Sequence, residues 1–328
     1  MTYTCDYTFL RMWRRVRGAY FRSMPEGSTV VRDATITEVV VDAAASFTGR
    51  HANRAALVDP GRELGHAAFA DTVPAAANGL RRHGVRPGDV GAIHVTGVCD
   101  LALAVHAVTA AGAVPALLPS GAAPAELAAL MNETGARFLL AGEDTAARSL
   151  AATEHAYVRQ VFAFGDVPGT TPFSRLLEPG ATEPGAHPDP LRDPALRLPA
   201  PSADMTHADR LADLYRLGGA LTLSAGDVLA VCGRDLSAPT WIGMADLCLT
   251  QGATMVGVPG PDVADLLETI LRHRATAAVV TPAKLRAIAF DQGRIPVPGL
   301  RLLVTGAPSA EAVRACHTRH NWTVAPLS

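Results

Sequence analysis

Lysine is nearly missing: Lys284 is the only one among 328 residues, and arginine carries the rest of the basic charge. Neither sign of charge dominates. A net charge of -2 and a pI near 6.6 exclude the basic stripe of a dedicated nucleic-acid binder. No apolar run approaches the roughly 20 residues of a membrane span. Charges run throughout the N-terminus, which has no central apolar stretch of signal-peptide type, so a cytoplasmic location is expected. The five cysteines, Cys5, Cys99, Cys232, Cys248 and Cys316, are scattered and odd in number. None is spaced as a metal knuckle or redox pair, and reduced, mostly buried thiols are expected. There is no Gly-x-Ser-x-Gly elbow, no Gly-x-Gly-x-x-Gly after a strand and no Walker loop, which sets those chemistries aside. Cys316-His317-Thr318-Arg319-His320 offers three potential ligands, but no second cluster completes the usual four of structural zinc, and no metal site is expected.

What is present is a chain 48% hydrophobic and 18% charged, long enough for one large domain or two ordinary ones. Residues 1–35 alternate apolar and basic side chains at roughly helical spacing, most clearly over 9–21. This reads as a terminal helix docked by its aromatic face or as a helix for a membrane surface or partner. Apolar periodicity predicts helices over 37–47, 67–83, 101–111 and 123–135, with Pro124 in the first turn and Gly135 at the end of the last. Between them, short apolar runs predict strands over 55–59, 90–95, 114–119 and 137–141. Residues 166–205 hold nine prolines between 165 and 205 and read as a linker. The alternation resumes with helices over 208–221, 242–251, 263–273, 282–290 and 309–318, and strands over 228–232, 254–258, 277–280 and 300–304. Strands alternating with helices imply βαβ units and parallel sheets. The expected division is 1–35, 36–165, 166–205 and 206–328.

Four stretches in order carry a resemblance. Gly84-Val85-Arg86-Pro87-Gly88-Asp89-Val90 precedes a strand. Ala110-Ala111-Gly112-Ala113-Val114-Pro115-Ala116-Leu117-Leu118-Pro119 is followed by Thr134-Gly135-Ala136-Arg137-Phe138-Leu139-Leu140. Gly252-Ala253-Thr254-Met255-Val256 leads to Thr276-Ala277-Ala278-Val279-Val280-Thr281-Pro282. Leu300-Arg301-Leu302-Leu303-Val304-Thr305-Gly306-Ala307-Pro308-Ser309 closes the set. Over roughly residues 36–328 this resembles the N-terminal domain of acyl- and aryl-CoA synthetases, the adenylate-forming, AMP-binding superfamily. The resemblance implies an α/β fold of two βαβ-type subdomains with mostly parallel sheets, packed face to face. It also implies a family chemistry that uses ATP and Mg²⁺ to make an acyl-adenylate.

Several family features are not matched. Between Leu198 and Met205, where the family carries a Ser/Thr/Gly-rich phosphate loop ending in Pro-Lys-Gly, Ser202 is the only hydroxyl residue, and there is neither glycine nor lysine. The loop's work is to wrap backbone N–H groups around a triphosphate. The family's His-x-x-Gly has its nearest counterpart in Trp241-Ile242-Gly243-Met244. Residues 322–328 resemble the approach to Tyr-Gly-x-Thr-Glu, and the Mg²⁺-binding Glu, ribose-binding Asp and C-terminal catalytic Lys are not in the sequence. Lys284 stands in the wrong context to replace that lysine.

The resemblance assigns Thr305, Gly306, Ala307 and Pro308 to the adenine side. It assigns Trp241, Gly243, Met244, Thr281 and Pro282 to an acyl or aryl pocket. The first four read equally as a turn, and Trp241 equally as core. His207 resembles a position that shapes the acyl site, and a role as base would need a carboxylate partner that the sequence does not identify. The leading expectation is an accessory protein that binds an acyl or aromatic intermediate without adenylating it, paired with a protein partner or as a homodimer. The alternatives are an acyl-activating ligase completed by a partner or altered chemistry in the old pocket, and a fragment with an unfinished sheet.

Overall fold

The computed structural model describes residues 34–47, 49, 54–181, 185, 187–199, 203–291 and 297–327. The stretch 9–21, Cys5 and Ser202 lie outside the described residues. Helix α1 (Ile36–Ala45) starts with a capping box: the Thr35 hydroxyl accepts from the Glu38 N–H, and the Glu38 carboxylate accepts from the Thr35 N–H. Strand β1 (Ala55–Asp59) turns through Pro60-Gly61, with Gly61 at φ +75°, into β2 (Arg62–Gly65). Helix α2 (His66–Arg82), β3 (Val90–His94), α3 (Val98–Ala110), β4 (Val114–Leu117), α4 (Pro124–Thr134), β5 (Ala136–Gly142), α5 (Ala146–Thr153) and β6 (Gln160–Phe164) follow.

The proline-rich stretch is anchored at its described elements. It contributes β7 (Thr171–Pro172), a 3₁₀ turn at Phe173–Leu177, and the hairpin β8 (Pro194–Leu196) and β9 (Met205–Thr206). Pro172 sits on an edge strand, where its missing N–H costs no ladder bond. The 3₁₀ turn lies on α2 at Gly79, where a Cβ would stand 2.6 Å from the Leu176 Cα, so glycine alone permits that approach.

The rest is α6 (His207–Leu221), β10 (Val228–Val231), α7 (Ala238–Gln251), β11 (Thr254–Gly257), α8 (Val263–His273), β12 (Ala277–Val280), α9 (Pro282–Phe290), β13 (Arg301–Val304), α10 (Ala310–His320) and β14 (Thr323–Pro326). The apolar pattern does not isolate β2, α5, β6 or β14. They are short or polar, and tertiary pairing holds them.

A five-stranded sheet runs β4-β3-β5-β6-β7, all parallel. A seven-stranded sheet runs β14-β13-β12-β10-β11-β1-β2, parallel except for β2. Sheet membership does not follow chain order. β1 and β2, from the first half of the chain, complete the sheet of the second half, and Thr254 Oγ1 donates to the Ala55 carbonyl at 2.7 Å across that seam. Central strands such as β3 and β12 are buried at every position, as parallel strands covered on both faces must be.

The two sheets share a helical layer. α3 packs against α2, α7, β1, β3, β4 and β11, and is buried from Val98 to Thr109 except at Asp100. A helix that is apolar all round belongs inside. One continuous core runs through both halves. No helix among the described residues is long and apolar enough to cross a membrane.

Candidate functional site

In the seven-stranded sheet the chain leaves β10 for β11 on one side, then crosses to β12 on the other. The strand order therefore reverses between β10 and β12. Open α/β sheets place their ligand crevice at such a reversal, outside the carboxyl ends of the strands. Here a cleft of about 300 Å³ opens there, lined by Asp235, Leu236, Ser237, Thr240, Thr305, Gly306 and Leu327.

Each lining group has a local cause. After β10 the backbone turns through Gly233, where a Cβ would stand 2.5 Å from the Trp241 indole, so the ring packs directly beneath the turn. Ser237 then caps α7: its hydroxyl accepts from the Thr240 N–H and lies 2.9 Å from Thr240 Oγ1. After β13, Gly306 adopts φ +133°, a conformation that L side chains rarely take. Leu327 follows β14, and its N–H donates to the Val304 carbonyl at 2.9 Å.

Asp235 is the one charged lining residue, and it is paired. Lys284 Nζ donates to Asp235 Oδ2 at 2.6 Å, with only 10% and 13% of the two side chains exposed. Lys284 is held in turn by the start of α9, where the Thr281 hydroxyl accepts its backbone N–H. The pair thus spans the reversal point from the end of β10 to the helix after β12. Cys232, next to this turn, donates to the Gly260 carbonyl at 3.5 Å, and burial, then Asp235, pushes its thiol up.

The structure brings some predicted residues together and separates others. Thr305 and Gly306 line the cleft, whereas Ala307 is exposed and Pro308 half-buried beyond it. Trp241 lies under the Gly233 turn. Gly243 faces Leu217 and Met244 is fully buried in the shared core, so neither reaches the cleft. Thr281 caps α9, and Pro282 Cγ would lie 3.8 Å from a Cβ on Gly306.

His207 opens α6, 2% exposed, and is not among the lining residues. Burial, then Arg210, lowers its pKa to about 4. Sequence reasoning missed Asp235, Leu236, Ser237, Thr240 and Leu327. The signal was there: Ser237-Ala238-Pro239-Thr240 is a helix start, whereas the apolar period picks the helix up only at Ile242. No group of three or more His, Cys, Asp or Glu among the described residues is placed to hold a metal. His320 stacks on Trp322 at 4.4 Å.

The stretch that precedes α6 has its own geometry. β8 and β9 pair antiparallel, and just beyond β8 the Arg197 guanidinium meets Asp204, just before β9, at 2.9 Å. Arg197 also donates to the Thr134 carbonyl at 3.1 Å, and its backbone N–H to Pro115 at 2.9 Å, which ties the hairpin to the edge of the five-stranded sheet.

Comparison with known proteins agrees with this architecture. The family described as "AMP-binding enzyme" matches residues 44–198. A salicyl-AMP ligase / salicyl-S-ArCP synthetase of Mycobacterium tuberculosis is 29% identical over 314 residues, covering 87% of this chain and 54% of that protein. The chain therefore spans about half the length of that curated relative. Among solved structures, a long-chain-fatty-acid-CoA ligase from Archaeoglobus fulgidus superposes with a TM-score of 0.75 at 18% identity, over 88% of this chain and 62% of that one. The apo structure of MbtA from Mycobacterium smegmatis gives 0.71 at 23% identity, over 97% of this chain and 58% of that one.

Proposed function

We propose that this chain, which matches the adenylate-forming, AMP-binding family over the part that corresponds to the N-terminal region of its relatives, binds a small acyl or aromatic ligand without forming an adenylate through the residues present. The observation that carries this reading is the β8–β9 hairpin. Where the family places its phosphate loop, residues 197–204 read Arg-Leu-Pro-Ala-Pro-Ser-Ala-Asp, and the Arg197–Asp204 pair commits the only cation of that stretch to an internal carboxylate. A triphosphate needs several free backbone N–H donors and uncommitted positive charge. Two prolines without N–H groups, no glycine and no lysine do not fit it.

The cleft is the ligand site in this reading. A cavity near 150 Å³ holds benzene, so about 300 Å³ accommodates a substituted ring or a short acyl chain. Its lining of three hydroxyls, one carboxylate and two leucines offers several polar contacts beside a limited apolar wall. The salicyl-directed name of the 29% relative supports an aromatic acid or its derivative as the ligand class.

A second reading rests on coverage. The curated relative carries nearly as many residues again beyond the matched part. Groups supplied by further chain or by a partner would then complete an acyl-activating ligase. Calorimetry with ATP·Mg²⁺, together with pyrophosphate exchange over a panel of carboxylic acids, separates the two. Ligand binding with neither nucleotide binding nor exchange supports the first reading; exchange by the protein alone overturns it. A homodimer or protein partner belongs to the same proposal, and light scattering of the purified protein tests it: a clean monomer counts against the homodimer.

A further inference from the structure

The cleft lining contains one charged side chain, Asp235, whose charge is controlled from outside it. Lys284 does not line the cleft, yet it is the only lysine of the chain and its ammonium is 2.6 Å from Asp235 Oδ2. A surface lysine would be replaceable. This one is 8% exposed at the start of α9, and Asp235 is its hydrogen-bond partner. Asp235 Oδ1 carries no hydrogen bond among the described residues, so one carboxylate oxygen is committed and the other is open as an acceptor. The other polar side chains of the lining, Ser237, Thr240 and Thr305, are neutral hydroxyls. With Asp235 compensated from behind, the cleft presents an acceptor without a net charge.

We infer that Lys284 is a positioning residue that sets the charge selectivity of this cleft, so that the end of the ligand it takes is uncharged and donates a hydrogen bond, as an amide or hydroxyl does, rather than an ammonium or a carboxylate. The physical reason is desolvation. A charged ligand group entering a confined site loses its hydration and recovers it only against an uncompensated opposite charge. In the native pair neither partner is uncompensated. Removing either one creates such a charge, of opposite sign in the two cases. The inference rests on the cleft being the ligand site.

Fragment binding to the full chain tests it, with benzamide, benzylamine and benzoate as probes read by ligand-observed NMR titration. The wild type binds benzamide. Lys284→Met frees the carboxylate and shifts the benzylamine-to-benzamide affinity ratio up by about ten-fold, the order of one charge-assisted hydrogen bond. Asp235→Asn frees the ammonium and shifts the benzoate-to-benzamide ratio up by a similar factor. Lys284→Arg, which keeps the charge, moves neither ratio. A merely structural pair would weaken all three probes together and leave the ratios alone. Wild-type binding with both ratios unchanged in the variants overturns the role of Lys284. Failure of the wild type to bind any probe at millimolar concentration instead overturns the cleft as the ligand site. If Lys284→Met melts below the assay temperature, the Asp235→Asn and Lys284→Arg arms decide alone.

Discussion

His106 Nε2 lies 2.9 Å from Asp246 Oδ1, joining α3 to α7 across 140 residues of sequence. The other ring nitrogen, Nδ1, lies 3.0 Å from Thr37 Oγ1, so both ring nitrogens have a polar partner. The second carboxylate oxygen takes Arg210 at 2.8 Å, and Arg210 donates on to the Ala195 carbonyl of β8. All four side chains are buried. The network therefore ties α1, α3, α6 and α7 where the halves of the chain meet.

Asp246→Asn leaves the Arg210 charge buried without its partner, and equilibrium denaturation is expected to show a loss of about 3–5 kcal/mol. Burial alone would raise the Asp246 carboxyl. The charges of Arg210 and His106 and their hydrogen bonds outweigh it and hold the group below the usual carboxylate range. A depressed folded value means that its contribution is present above that range and is lost as pH falls through the folded value. Stability measured between pH 6 and pH 2 therefore falls less steeply in the variant than in the wild type.

Asp100 behaves in the opposite sense. Burial raises its pKa to about 7; Arg62 opposes the shift, and Asp59 and Asp144 add to it. Between the ordinary carboxylate range and pH 7 the folded state then holds a proton that the unfolded state has released, so this group's contribution falls as pH rises across that window. Asp100→Asn removes the slope. The difference in stability between wild type and variant, followed by thermal melts from pH 4 to pH 8, is expected to favour the variant increasingly toward pH 8.

His207 gives a third pH signature. Burial and Arg210 lower its pKa to about 4, so the folded ring is neutral where the unfolded ring is protonated, between roughly pH 4 and the ordinary histidine value. Its contribution is complete above that window and is lost as pH falls through it. His207→Gln is expected to flatten the stability curve between pH 6.5 and pH 4, and NMR of the ring carbons should show no titration above pH 5.

Two glycine-to-alanine changes in helices should have opposite signs. Gly219, exposed in α6, has nothing within 4 Å of a built Cβ, and Gly219→Ala is expected to stabilise by up to about 1 kcal/mol. Gly79 in α2 faces the Leu176 backbone, with the Leu176 Cα 2.6 Å from a built Cβ. Gly79→Ala must push the 3₁₀ turn away and is expected to cost about 1–3 kcal/mol. Urea midpoints of the two variants compare them directly; similar shifts for both would contradict the close approach at Gly79.

The sequence by itself determined the alternation of strands and helices and hence the α/β class. Those signals are local: an apolar run of four or five residues between turn residues is already a buried parallel strand, and 263–273 or 282–290 shows its helical face without any partner. Thr305 and Gly306 stand out only through the family resemblance, since a strand followed by glycine reads by itself as a turn. Tertiary structure alone decided which strands share a sheet, since nothing local in Ala55–Asp59 says that it will lie beside Thr254–Gly257. It alone decided that Met244 and Gly243 face the core while Asp235 and Thr240 face the cleft. The Lys284–Asp235 and His106–Asp246 pairs belong to the same class. They join residues 49 and 140 positions apart, and contacts at such separations exist only once the packed helices and the crossing between β10 and β12 have brought their backbones together.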